Sequence, residues 1–150
     1  YTKVAYMSRE NYDYLVIEKQ YGSLEPISDF IQERSLASRL SFKKTWELML
    51  VIDEICSCII LHSHKKESEL KIIWGNKEAY VEVEIIDEGD EFNPLIPPED
   101  ENDCRELGAM GIYLIGKMVD KAWYKRVNGV NKTFITKNKC KKNNKNNFHH

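Results

Sequence analysis

Long apolar runs are absent from this 150-residue chain. No stretch approaches the roughly 20 consecutive apolar residues that cross a bilayer, and there is no signal-peptide pattern. A membrane is therefore not expected as a partner, and a cytoplasmic setting is. Cysteine is sparse: Cys56, Cys58, Cys104 and Cys140 form neither a C-x-x-C pair nor a dense disulfide pattern, which suits a reducing compartment. Seven glycines and four prolines are too few for a collagen-like or low-complexity chain. A large charge of one sign is also missing, the formal net charge being −2.

That small charge is unevenly spread. From Lys137 onward there are five lysines and no acids, so the preceding residues are clearly acidic. An acidic body disfavours nucleic acid as a partner. The closing KNKCKKNNKNNFHH lacks the apolar content to pack, so residues 138–150 are expected to form a disordered basic tail behind a single domain over residues 1–137. A hydrophobic fraction of 42% and a charged fraction of 31% leave enough apolar material for one core.

Periodicity supplies the elements. Asp13 to Gln20 (DYLVIEKQ) reads as a strand. Ile27, Phe30, Ile31, Leu36 and Leu40 recur at helical spacing. Ser41 then stands as an N-cap before a long second helix that runs to about His62 or His64. Glu69 to Trp74 and Ala79 to Asp87 form two strands around a turn at Gly75–Asn76, the second alternating Val81, Val83 and Ile85 with Tyr80, Glu82 and Glu84. Glu88 to Glu106 reads as a loop too polar to pack, followed by a helix from Gly108 to about Asp120. Strands from Ala122 to Val127 and Lys132 to Lys137 flank the turn Asn128–Gly129. Strands that come in hairpins, interrupted by helices, predict an α+β fold: a two-layer α/β sandwich with a mixed, mostly antiparallel sheet and helices on one face.

Three segments carry residue types suited to chemistry. On the second helix, VIDEICSCIILHSH places Glu54, Cys58 and His62 at i, i+4 and i+8, on one face. An acid on a largely apolar helix is costly to bury, so it faces a cleft, is paired, or is a surface charge. In IIDEGDEFNP, Asp87 ends an apolar strand where a carboxylate can accept a ligand amine. Gly89 leaves room for a flat ligand, and Phe92 offers an apolar wall. Alone, such a D-x-G is as readily a turn. In RELGAMGIYLIGKMVD, Gly108 and Gly111 precede an apolar helix whose N-terminal amides can cradle phosphate, or whose glycines can serve close packing. Cys58 and His62 could alternatively ligate a metal, but Cys104 is the one obvious third ligand and structural zinc takes four, so no metal site is expected.

Taken in order, the acid-bearing helix, the strand ending in D-x-G-x-x-F-x-P and the glycine-led helix closely resemble the GHKL (histidine-kinase-like) ATPase superfamily. Within it the match is to the anti-sigma-factor serine/threonine kinase branch. Glu54 and His62 fit the first motif, Asp87, Gly89, Phe92 and Pro94 the second, and Gly108, Gly111, Ile112, Leu114, Ile115 and Asp120 the third. The resemblance spans about Asp13 to Lys137. It implies Glu54 as the general base toward a serine hydroxyl, and ATP held by Cys58, His62, Asp87, Gly89, Phe92, Gly108, Met110, Gly111 and Asn131. Asp87 would accept the adenine amine, Gly108, Met110 and Gly111 would meet the phosphates, and residues Asn93 to Leu107 would be the ATP lid. It further implies a sigma factor and an anti-sigma-factor antagonist protein as partners, and a homodimer as the assembly.

Two positions depart from that pattern. Cys58 stands where the branch has the asparagine that binds Mg²⁺, and a thiol is a poor ligand for so hard a cation. Ala109 stands at a phosphate-turn glycine. The alternative is thus a catalytically degenerate module of the same fold that sequesters a regulatory partner without phosphoryl transfer.

Overall fold

The computed structural model describes residues 5–9, 12–62, 68–96, 113 and 115–140. They form strands β1 (Ala5–Arg9) and β2 (Tyr12–Glu18), helices α1 (Leu24–Ala37) and α2 (Phe42–His62), then β3 (Glu69–Asn76), β4 (Tyr80–Asp87), β5 (Lys121–Val127) and β6 (Val130–Asn138). Residues 115–118, just before β5, are also helical.

The six strands make one sheet in the order β1-β2-β3-β4-β6-β5. All five neighbouring pairs are antiparallel, so the expected mixed sheet is corrected to an antiparallel one among the described residues. β1 had no counterpart in the sequence reading: its AYMSR lacks an apolar alternation, and pairing with β2 is what makes it a strand.

Alternation decides which side is covered. Leu15 and Ile17 of β2, Leu70, Ile72 and Trp74 of β3, Val81, Val83 and Ile85 of β4, and Ile135 of β6 are buried together against the helices. α1 supplies Ile27, Phe30 and Ile31 to that layer, and α2 supplies Leu48, Val51, Ile52, Ile55 and Ile59. The two-layer α+β sandwich is therefore present, with one apolar core between sheet and helices. Trp74 is fully buried and its indole N–H donates to Ser38 Oγ at 3.1 Å, which meets the polar cost of burying it.

Local chemistry sets the ends. The Ser41 hydroxyl accepts from the Lys44 amide at 3.2 Å, as an N-cap should. Asn128 and Gly129 take φ of 51° and 76°, the paired left-handed values of a tight two-residue hairpin turn. The turn expected at Gly75–Asn76 is displaced: both residues belong to β3, and Lys77 closes the connection by donating its amide to Tyr80 O at 2.9 Å. At the far end, Lys137 reaches Glu47 at 2.6 Å, and Lys44 donates to Asn138 O at 2.8 Å. These contacts tie α2 to the end of β6, which runs through Asn138.

Cys56 is fully buried in the core face of α2, where burial above all, then the charges of Asp53 and Cys58, pushes its thiol far above the usual range. Thiolate is the reactive form, so Cys56 should be inert while exposed Cys140 reacts. Maleimide labelling of native protein, read by mass spectrometry, should modify Cys140 and reach Cys56 only after denaturation. Equal rates at both would mean that α2 is not docked on the sheet.

Along the opposite side of α2, Phe42, Trp46 and Leu50 are exposed at i, i+4 and i+8, the first two by 77% and 62%. No helix among the described residues is long and apolar enough to cross a membrane.

Candidate functional site

Two of the three sequence motifs converge where the C-terminal half of α2 meets the segment leaving β4. The His62 ring stacks on Phe92, with centroids 4.8 Å apart and planes inclined by 25°. One turn back along the same face, the Cys58 thiol faces Glu54 Oε1 at 3.8 Å. Glu54 is half-buried and Cys58 is buried. The i, i+4, i+8 spacing has thus put carboxylate, thiol and imidazole on one side of the helix, as the periodicity requires. Neighbouring Asp53 is exposed, its carboxyl raised by partial burial.

The segment after β4 is held by side chains rather than by regular pairing. Asp87 occupies the last buried position of β4 and accepts the Gly89 amide at 3.0 Å. Asn131 of β6 lies directly across from Asp87 in the ladder. Its amide nitrogen donates to Asp87 Oδ2 at 3.2 Å and to Asp90 O at 2.8 Å. Its carbonyl oxygen accepts from Phe92 N at 3.3 Å, from the Tyr124 hydroxyl at 2.6 Å and from Arg126 Nη1 at 2.8 Å. Arg126 also donates to Gly89 O at 3.1 Å. The Tyr124 hydroxyl is pushed up by burial first and by the charge of Glu91 next. Every element of this network fixes the path of residues 87–92.

One expectation changes here. The loop beyond Glu88 was expected to be too polar to pack, yet Phe92 and Leu95 lie against the core. Asn93 accepts the Leu95 amide at 2.9 Å, turning the chain so that Leu95 faces inward. Beside Asp87 and Gly89 stands a residue that the sequence reading did not place there. Lys19, just beyond β2, forms an ion pair with Asp87 Oδ1, and both side chains are almost completely buried, at 1% and 5% exposure. Lys19 continues the inward alternation of Leu15 and Ile17, the one signal that could have placed it. Tyr124 and Arg126 were likewise missed, because β5 has an exposed-and-half-buried pattern that singles out neither.

Gly108, Met110 and Gly111, Cys104 and most of the lid lie outside the described residues, as does the 141–150 stretch of the tail. Among the described residues no group of three or more His, Cys, Asp and Glu side chains is gathered to hold a metal ion. Cys58 brings a soft sulfur donor, already facing a carboxylate, to the place where the resemblance puts a Mg²⁺ ligand, and the two do not fit.

A sequence profile described as "Histidine kinase-like ATPase domain" matches residues 17–137. The serine-protein kinase RsbW of Bacillus subtilis (strain 168) is 28% identical over 108 residues, covering 63% of this chain and 67% of that protein.

Proposed function

The chain belongs to the histidine-kinase-like ATPase domain family, and we propose that it is an ATP-binding, anti-sigma-factor-like serine/threonine protein kinase. It binds a sigma factor and phosphorylates a serine of an antagonist protein. The carrying observation is the convergence of the Glu54–Cys58–His62 face with the Asp87–Gly89–Phe92 segment through the His62–Phe92 stack. The similarity to a serine-protein kinase supports the same assignment. In this assignment Asp87 accepts the adenine amine, Asn131 positions Asp87 and the segment after it, and Phe92 with His62 closes one side of the base. Glu54 orients the attacking hydroxyl. The exposed Phe42–Trp46–Leu50 stripe supports a protein as partner, since contiguous apolar surface is the usual mark of a docking face.

Cys58 favours a second reading in which binding survives and transfer is lost. A neutral thiol gives Mg²⁺ little, and neutralisation of phosphate charge is central to phosphoryl transfer. Isothermal titration with ATP, with and without Mg²⁺, tests both. Binding should be measurable and nearly indifferent to Mg²⁺ in the natural sequence. Cys58→Asn should make it Mg²⁺-dependent and tighter, by about tenfold, the size of one charge-assisted contact. An asparagine amide can also donate to Glu54 in place of the thiol while presenting its oxygen to the cation. Absence of any ATP binding in either protein would overturn the kinase proposal. Tight Mg·ATP binding unaffected by the substitution would remove Cys58 from the metal position.

A further inference from the structure

The exposed row on α2 has a charged neighbour. Phe42, Trp46 and Leu50 are 77%, 62% and 48% exposed, and their i, i+4, i+8 spacing makes one continuous apolar patch. One residue further on, Lys43 and Glu47 form the adjacent row of the same helix. That row is a wall of an open cavity of about 350 Å³, whose charged lining is Lys43, Lys44, Glu47, Lys117, Asp120 and Lys137.

The charge of this cavity is one-sided, with four ammonium groups against two carboxylates. Glu47 is taken by the buried Lys137 at 2.6 Å and lies 4.0 Å from Lys43. Asp120 accepts the Asn138 amide at 2.6 Å. Lys44 is engaged by a backbone carbonyl, Asn138 O, and Lys117 by the ring of Tyr113, so neither has a carboxylate partner among the described residues.

We propose that this end of α2 docks an acidic, amphipathic segment of a partner protein. The apolar face of that segment covers Phe42, Trp46 and Leu50, and its carboxylates enter the lysine-lined cavity. Docking of this kind deepens the kinase reading by naming the partner's chemistry, and rests on it only for there being a protein partner. Charge complementarity decides the occupant. A second copy packed row against row would bring like-charged cavities side by side, and a neutral apolar segment would leave the cavity unused. Lysines suit the task because a flexible point charge accepts carboxylates at several spacings. Trp46 precedes Glu54 by eight residues, about 12 Å of helix, so partner and nucleotide can be held together.

The probe is a synthetic peptide of about 18 residues, long enough to hold a helix, with leucine and phenylalanine on one face and glutamate on the other. Its twin carries lysine at every glutamate. Anisotropy of the labelled peptides reads binding. The acidic peptide should bind at least about tenfold tighter than its twin, and 1 M salt should weaken it. Trp46→Ser should weaken it by roughly tenfold or more, as the loss of a central aromatic anchor does. Lys43→Gln with Lys117→Gln should weaken it by about tenfold and leave the twin no weaker. All three side chains are exposed, so the variants should keep the natural urea midpoint and ATP affinity. Equal affinity for the two peptides, or acidic-peptide binding unchanged in Trp46→Ser, overturns the docking site. Dimerisation of the protein alone, or co-sedimentation with phosphatidylserine vesicles, that Trp46→Ser abolishes gives the patch another occupant and overturns it too. Any of these results with ATP binding intact leaves the kinase reading standing, whereas docking by a protein that binds no ATP removes the kinase reading alone.

Discussion

Asp87→Ala should destabilise the fold by about 3–5 kcal/mol, the cost of removing one member of a buried ion pair. Lys19 would be left charged at 1% exposure with its carboxylate gone, and the Gly89 amide and the Asn131 amide would lose an acceptor. Lone buried charges are far more costly than absent pairs. Lys19→Met combined with Asp87→Leu should therefore recover part of the loss, because no charge is then buried without a partner, while the Gly89 and Asn131 amides still lack their acceptor. Urea unfolding of both variants gives the comparison. A shift of less than about 1 kcal/mol for Asp87→Ala, the level of an exposed pair, would mean that the Lys19–Asp87 contact is solvated. The consequence for function is practical: Asp87→Ala would lower nucleotide binding through the fold as well as through the lost acceptor. Asp87→Asn, which keeps the size and an acceptor oxygen, is the cleaner probe of the base.

The second large effect concerns Glu54. If its carboxylate orients the serine hydroxyl, Glu54→Gln should lower phosphoryl transfer by about 10²–10⁴-fold, the usual contribution of general acid–base catalysis. ATP affinity should stay the same, since Glu54 faces Cys58 rather than the Asp87 segment. Because Cys58 is expected to slow transfer in the natural sequence, the comparison is best made with Cys58→Asn in both proteins. Single-turnover transfer of labelled phosphate to the serine protein substrate reads the rate, and calorimetry reads binding. Transfer within threefold or so of the parent would exclude Glu54 as base, being far below the ~10²-fold effect required. A parallel fall in ATP affinity would instead make it a nucleotide contact.

The elements and two of the motifs were legible because they depend on local periodicity. Val81, Val83 and Ile85 alternate strictly, and all five expected strands needed only boundary shifts of a few residues. Glu54, Cys58 and His62 share a face by helix geometry alone, and the Asn128–Gly129 turn follows from two residues that tolerate positive φ. The Gly75–Asn76 signal misled for the same reason: residues that permit a turn do not compel one, and pairing with β2 and β4 carries β3 through both positions.

The alternation, the helix faces and the order of the motifs are thus each set by neighbours a few residues apart. What those residues meet depends on how the strands are ordered and packed. Asn131 and Asp87 are 44 residues apart and become partners because β6 pairs with β4 in one register. A slip of β6 by one residue would turn Asn131 to the opposite face. Lys19 and Asp87 come from strands separated by β3, each at the end of a buried alternating row, and the sheet order brings the two row-ends together. A lysine after an apolar strand reads as a surface charge until the layer above it excludes water. Burial then makes its pairing with Asp87 obligatory, because an ammonium held away from solvent without a counter-ion is too costly for the fold to keep.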